Sequence, residues 1–241
     1  MAAARSVSRA GQDAYALESH QKAIAVIEAG RFAKELAPVL VAESRGAGKL
    51  VDADEGPRRD TSVEALARLR PAFAVPVMDD GSVPPGTVTA SNAPGLADGA
   101  AAAVVASERS VERFGLQPLA RIVGHTQAEV EPKWPFTAPV AAIRRLVDRT
   151  ALPLEAFYLI EINEAFAAQV LANGRELDLD WSRLNVNGGA IALDLPIGAS
   201  GARIIATLLH ELVRRQGRFG LSAALGLGGG GSVAMAVERV A

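Results

Sequence analysis

Residues 198–216 read Gly-Ala-Ser-Gly-Ala-Arg-Ile-Ile-Ala-Thr-Leu-Leu-His-Glu-Leu-Val-Arg-Arg-Gln. Ile204, Ile205, Leu208, Leu209, Leu212 and Val213 recur at helical spacing over a wide arc, leaving mainly Glu211, Arg214 and Arg215 for solvent. The stretch opens on Gly198-Ala-Ser-Gly201, which has almost no side-chain bulk. A helix this apolar, entered through small residues, belongs inside a protein against close neighbours. The pattern predicts a close helix–helix crossing, with Leu208 and Leu212 on the associating face.

The segments on either side extend this reading. Upstream lie a strand opening at Arg121–Gly124, a helix over Val140–Arg149, a strand over Phe157–Ile162, a helix over Ala165–Leu171, and a turn with a further strand. Downstream, two strands flank Gly228–Gly231. Strands alternating with helices predict a layered α/β domain. Towards the N-terminus, Ser8–Lys34 has an amphipathic helical pattern, with Ser8 as N-cap and Gly30 as terminator. Leu36–Val41 suggests a strand, Val63–Leu69 a short helix, and Pro76–Gly86 a loop. Thr87–Ala90 starts a strand, Gly99–Ala106 supplies a small, apolar, buried one, and a short helix closes at Gly115.

The 241 residues are 49% apolar and 22% charged, the composition of an α/β protein rather than a disordered chain. A net charge of −2 gives no basis for a nucleic-acid or membrane partner. There is no cysteine, which removes disulfides, thiolate zinc ligands and a thiolate nucleophile together. His20, His125 and His210 are scattered and form no metal-ligand spacing, so no metal is expected. The first nine residues lack a signal peptide's apolar core. The uncharged run Phe219–Val237 is broken by four glycines, which fits two strands around a turn better than a membrane helix. The expected location is cytosolic.

Four segments carry a family resemblance: Thr87–Ala103 (TVTASNAPGLADGAAAA), Glu161–Gln169 (EINEAFAAQ), Asn185–Arg203 (NVNGGAIALDLPIGASGAR) and Leu225–Glu238 (LGLGGGGSVAMAVE). In order and separation they resemble thiolases, the acyl-CoA C-acyltransferases. The resemblance implies two βαβαβαββ halves with a loop domain inserted in the first, assembled as dimers or tetramers. On this reading the chain is the C-terminal portion. Residues 1–86 are the remainder of the loop domain, 87–117 the last strand and helix of the N-terminal half, and 118–241 the C-terminal domain.

The resemblance also says what is missing. The acyl-accepting cysteine belongs to the first half. The histidine of a Gly-His-Pro turn becomes Leu195 in Asp194-Leu195-Pro196. The second, proton-shuttling cysteine falls at Gly226, or one residue earlier at Leu225. Neither side chain transfers a proton. What it retains are Asn163, for an oxyanion-hole water, and Gly228, whose N–H supports the other oxyanion hole. Ala90, Pro94 and Phe166 fall where thiolases line the pantetheine channel. No cofactor is required, and a coenzyme A thioester is the implied ligand.

Plainer roles stand beside these. Asn163-Glu164 reads equally as a helix cap, Gly198–Gly201 as a packing or anion-cradling segment, and Gly228–Gly231 as a tight turn. His210 fits a packing residue, and His125 has no visible partner in the sequence. Two functions follow. One is a non-catalytic thiolase-like subunit that assembles with itself or with a chain carrying the N-terminal half. The other lends Asn163 and Gly228 to a composite site whose cysteine sits on another polypeptide.

Overall fold

The computed structural model describes residues 5–42, 48–73, 77, 81, 83, 85–226 and 230–240. Ser8 caps α1 (Arg9–Glu28), its hydroxyl accepting from the Gly11 N–H at 3.1 Å, and Gly30 leaves the helix at a φ of 64°. A two-stranded antiparallel ribbon follows, β1 (Val39–Val41) with β2 (Lys49–Val51), and then α2 (Val63–Ala67). Next come α3 (Glu108–Phe114), β3 (Ala120–Glu129), α4 (Ala138–Thr150), β4 (Phe157–Ile162) and α5 (Ala167–Glu176). The chain ends with α6 (Ala190–Leu193), α7 (Ser200–Arg215), β5 (Phe219–Leu225) and β6 (Gly231–Arg239).

Four strands form one mixed sheet in the order β3-β6-β5-β4. The β4–β5 pair is parallel, with Ile162 opposite Ala223, and the other two pairs are antiparallel. On one face, Ile143 and Leu146 of α4 pack with Phe157, Ile160, Leu221 and Ala236. On the other, Leu208 and Leu212 of α7 pack with Leu159 and Val237. A Cβ on Gly220 would stand 2.6 Å from the Leu212 side chain, so glycine lets α7 approach β5 this closely. Helices cover both faces of the sheet, so the predicted layered α/β architecture is observed.

Several elements depart from the sequence reading. The strand expected between α5 and α7 shrinks to isolated bridges, of which Ile160 to Leu184 is the one made with the sheet. The reason is local: Asn185 occupies the edge of β4 with its side chain, accepting from the Ile162 N–H and donating to the Ile162 carbonyl, each at 2.9 Å. A side-chain amide thus does what a neighbouring strand's backbone would do. Thr87–Ala90 forms no strand, because Asn92 folds it into a turn by accepting from the Thr89 N–H and donating to the Thr87 carbonyl. Residues 99–106, expected to be a buried strand, form no helix or strand and expose their side chains; Val104 is 93% accessible.

The face of α7 is also corrected. Leu208 and Leu212 lie in the core, so they are not the associating residues. Glu211, expected in solvent, is 3% exposed and held by Arg214 and Arg215. The free face carries Gly201, Ala202, Ile205, Ala206 and Leu209, which line an open apolar groove of about 930 Å³ together with residues 102–106 and β6. A Cβ on Gly198 or Gly201 would meet nothing within 4 Å, so neither glycine packs against a neighbour, and Gly201 opens onto this groove. Gly228 and Gly229 of the glycine-rich turn, and part of the Pro76–Gly86 loop, lie outside the described residues. Among the described residues, no helix is long and apolar enough to cross a membrane.

Candidate functional site

Asn163 follows β4 directly, and its N–H donates to the Ala223 carbonyl at 2.9 Å, extending the parallel pairing with β5 by one step. The side chain is 4% exposed, and its Oδ1 has no hydrogen-bond partner among the described residues. It does not cap α5. Phe166 occupies that position without a side-chain cap, and the Gln169 amide oxygen accepts from the Ala165 N–H at 3.2 Å. A buried, unsatisfied amide oxygen costs stability and calls for an explanation other than capping.

Glu164 is different. It is 1% exposed, and it accepts from Tyr15 Oη at 2.7 Å, Ser19 Oγ at 3.0 Å, Asn185 Nδ2 at 3.0 Å and the Ile191 N–H at 2.9 Å. Four donors from α1, the 185 loop and α6 converge on one carboxylate. Burial, and then the Glu164 charge, push the Tyr15 hydroxyl well above the usual tyrosine range, so it stays a donor. This cluster fixes the backbone on both sides of Asn163.

The substrate-channel candidates meet at the same end. The Ala167 N–H donates to the Asn92 carbonyl at 3.0 Å, which docks the turn bearing Ala90 and Pro94 against the start of α5. Asn92 is buried and held in turn by Asp13 Oδ1 at 2.9 Å. Phe166 meets the edges of two further rings, Phe136 at 5.2 Å and Phe73 at 6.4 Å. The sequence reading missed both rings; the only available signal was an aromatic residue within a proline-bearing loop. Leu195 is half-buried, and its N–H donates to the Gly95 carbonyl at 2.8 Å, beside Pro94. Gly226 follows β5 directly, three residues past Ala223, with its N–H on the Gly231 carbonyl at 2.8 Å. Gly228 lies outside the described residues, so no geometry attaches to it.

Asn163 and Gly226 therefore stand at the carboxyl ends of the two parallel strands, where open α/β sheets gather ligands. The histidines play other parts. His20 is buried and accepts from the Arg58 N–H at 3.2 Å, and burial lowers its pKa. His125 faces outward on β3, and His210 lines the groove. Among the described residues, no group of three or more His, Asp or Glu is placed to hold a metal ion.

A layered α/β domain with a site at the ends of paired parallel strands is a broad class, and comparison with known proteins narrows it. The thiolase C-terminal domain model matches residues 116–239, and the thiolase N-terminal domain model matches residues 1–109. The chain belongs to the thiolase family. The N-terminal domain is represented by 109 matched residues, which corrects the reading of a C-terminal portion alone. An acetyl-CoA acetyltransferase of Pseudomonas aeruginosa is 51% identical over 97% of this chain and 57% of its own length. The crystal structure of the Bacillus anthracis acetyl-CoA acetyltransferase superposes with a TM-score of 0.91 at 44% identity, covering 99% of this chain and 58% of that one. Human mitochondrial 3-ketoacyl-CoA thiolase in complex with CoA gives 0.86 at 40% identity, covering 99% and 57%. The chain thus spans under two thirds of the length of these relatives.

Proposed function

We propose that these residues form a thiolase-like acyl-CoA-binding module that is not catalytic alone and works with a polypeptide carrying the nucleophilic half. One observation carries this reading. The 241 residues contain no cysteine, and the two positions where the resemblance seeks acid–base groups hold Leu195 and Gly226. Thiolysis needs a sulfur to carry the acyl group and a base to activate it, and oxyanion donors alone supply neither. The shape supports dependence on a partner. Residues 102–106 line an apolar groove with α7 and β6, and burying a few hundred Å² of such surface favours association by several kcal/mol at roughly 25 cal/mol per Å², before association costs. The occupant is a second copy of the chain or a thiolase N-terminal half.

A composite catalytic site is the second reading, and the Oδ1 of buried Asn163, without a partner among the described residues, favours it. An amide oxygen with no partner among the described residues suits a bound water near a reacting carbonyl. Ala90, Pro94 and Phe166 supply the pantetheine wall on either reading.

The test is an acetoacetyl-CoA thiolysis assay on the purified chain, alone and co-expressed with a cysteine-bearing thiolase N-terminal half. The chain alone shows no turnover, and Leu195→His with Gly226→Cys leaves it inactive. Turnover by the purified chain itself refutes partner dependence. Turnover only in the co-expressed pair, lost in Asn163→Ala, selects the composite site over the binding module.

A further inference from the structure

Asp194 stands where the thiolase resemblance has the glycine of Gly-His-Pro, and its backbone keeps a glycine conformation, φ 63° and ψ 171°. That region is strained for any residue with a Cβ, and a non-glycine persists there only when its surroundings hold it. The surroundings are specific. Asp194 Oδ1 accepts from the Gly95 N–H at 3.2 Å, while the next residue, Leu195, donates its N–H to the Gly95 carbonyl at 2.8 Å. Both backbone groups of Gly95 are therefore taken by the 194–195 turn. The carboxyl is also wedged between two chain segments. A Cβ on Gly95 would lie 2.5 Å from Oδ1, and a Cβ on Gly56 would lie 2.7 Å from Oδ2.

We propose that Asp194 is a positioning residue: its carboxylate is a clasp that holds the Pro94–Leu96 segment against the turn bearing Leu195, with the Gly56 loop packed closely beside its other oxygen. The clasp sets the wall of the pantetheine channel at Pro94, and this part of the inference rests on the acyl-CoA reading above. Two glycines, at 56 and 95, make room for the one carboxyl. The arrangement accounts for an aspartate in a backbone region that favours glycine: what the backbone loses in strain, the clasp returns in order at residues 94–96.

Amide hydrogen exchange on the full chain tests the clasp without any ligand, using Asp194→Asn and Asp194→Gly. Asparagine has the same size and the same backbone cost as aspartate at this position and keeps an acceptor oxygen, so exchange at Gly95 and Leu195 stays near that of the unaltered chain. Glycine removes the strain and the clasp together. The urea midpoint of Asp194→Gly then holds or rises, while exchange at Gly95 and Leu195 increases about fivefold, the effect of losing one hydrogen bond. Unchanged exchange at both amides in Asp194→Gly overturns the proposal. So does a uniform rise across the whole chain with a lowered midpoint, which marks a general structural role. Titration with coenzyme A is the second readout, with affinity about fivefold weaker for Asp194→Gly and unchanged for Asp194→Asn. If the unaltered chain binds no coenzyme A, the acyl-CoA reading fails while the exchange result still decides the clasp.

Discussion

Residues 99–106, Gly-Ala-Ala-Ala-Ala-Val-Val-Ala, and residues 232–237 of β6, Ser-Val-Ala-Met-Ala-Val, are close in composition and opposite in outcome. β6 lies between β3 and β5, with backbone partners on both sides, and its alanines are fully buried. The run 99–106 joins no sheet and exposes its side chains. Alanine has weak strand preference, so such a segment becomes a strand only when neighbouring strands supply hydrogen bonds and a surface to pack against. Apolar content therefore marks readiness for a sheet, and the sheet itself must come from elsewhere.

The largest expected effect tests the ordered half of this contrast. Glu164→Ala leaves four donors around a buried site without their acceptor and should cost roughly 3–5 kcal/mol in urea unfolding, with no counterpart anywhere in 97–106. A loss below about 1 kcal/mol would mean that water replaces the carboxylate freely.

Paired truncations come next. Leu208→Ala opens a cavity under the sheet and should cost roughly 2–5 kcal/mol, whereas Val104→Ala should stay within about 0.5 kcal/mol. Equal losses at the two positions would show that 97–106 is packed in solution and would erase the contrast.

Proton linkage sharpens it further. Burial pushes Glu161 up to about 8 and Glu35 up to about 7, from an ordinary value of 4.5. Between those limits the folded chain binds more protons than the unfolded one, so stability is full below about pH 4.5 and falls as pH rises through 7 and 8. The urea midpoint should drop over that window by the equivalent of a few kcal/mol at most, and Glu161→Gln should flatten the slope. A midpoint that rises with pH contradicts the assignment.

The smallest effect on stability is expected on the free face of α7. Ile205→Arg with Leu209→Arg should shift sedimentation at low micromolar concentration from an assembly to a monomer, and should leave the unfolding midpoint nearly unchanged at dilutions where the unaltered chain is itself monomeric. A monodisperse monomer for the unaltered chain would show that the groove needs no second copy.

Much of the fold was legible because the signals were local. Ser8 and Gly30 bound α1, Gly115 ends α3, and Phe157–Ile162 is a strand over the residues read from its pattern. The misreadings are positions where a tertiary partner decides. Asn185 replaced a strand with its side chain, Asn92 turned Thr87–Ala90 away from one, and Glu211 was drawn inward by Arg214 and Arg215. The six apolar positions of α7 covered more than half a turn, and periodicity alone could not say which side met the sheet. Around the candidate site, motif spacing singled out Asn163, Phe166 and Leu195. It carried no trace of the Asp194–Gly95 pairing, which joins residues 99 positions apart.

The side chain of Asn185 has a bearing on solubility. By occupying the N–H and the carbonyl of Ile162, while its own N–H donates to the Ile160 carbonyl, it blunts the outer edge of β4. A strand from another molecule finds no free register there, so edge-to-edge aggregation is discouraged on that side. Residues 99–106 have no such guard: they contain neither charge nor proline, and their small apolar side chains are exposed. Conditions that drive this chain to aggregate should therefore act through that segment first, and a lysine in place of Ala101 would be the simplest gatekeeper.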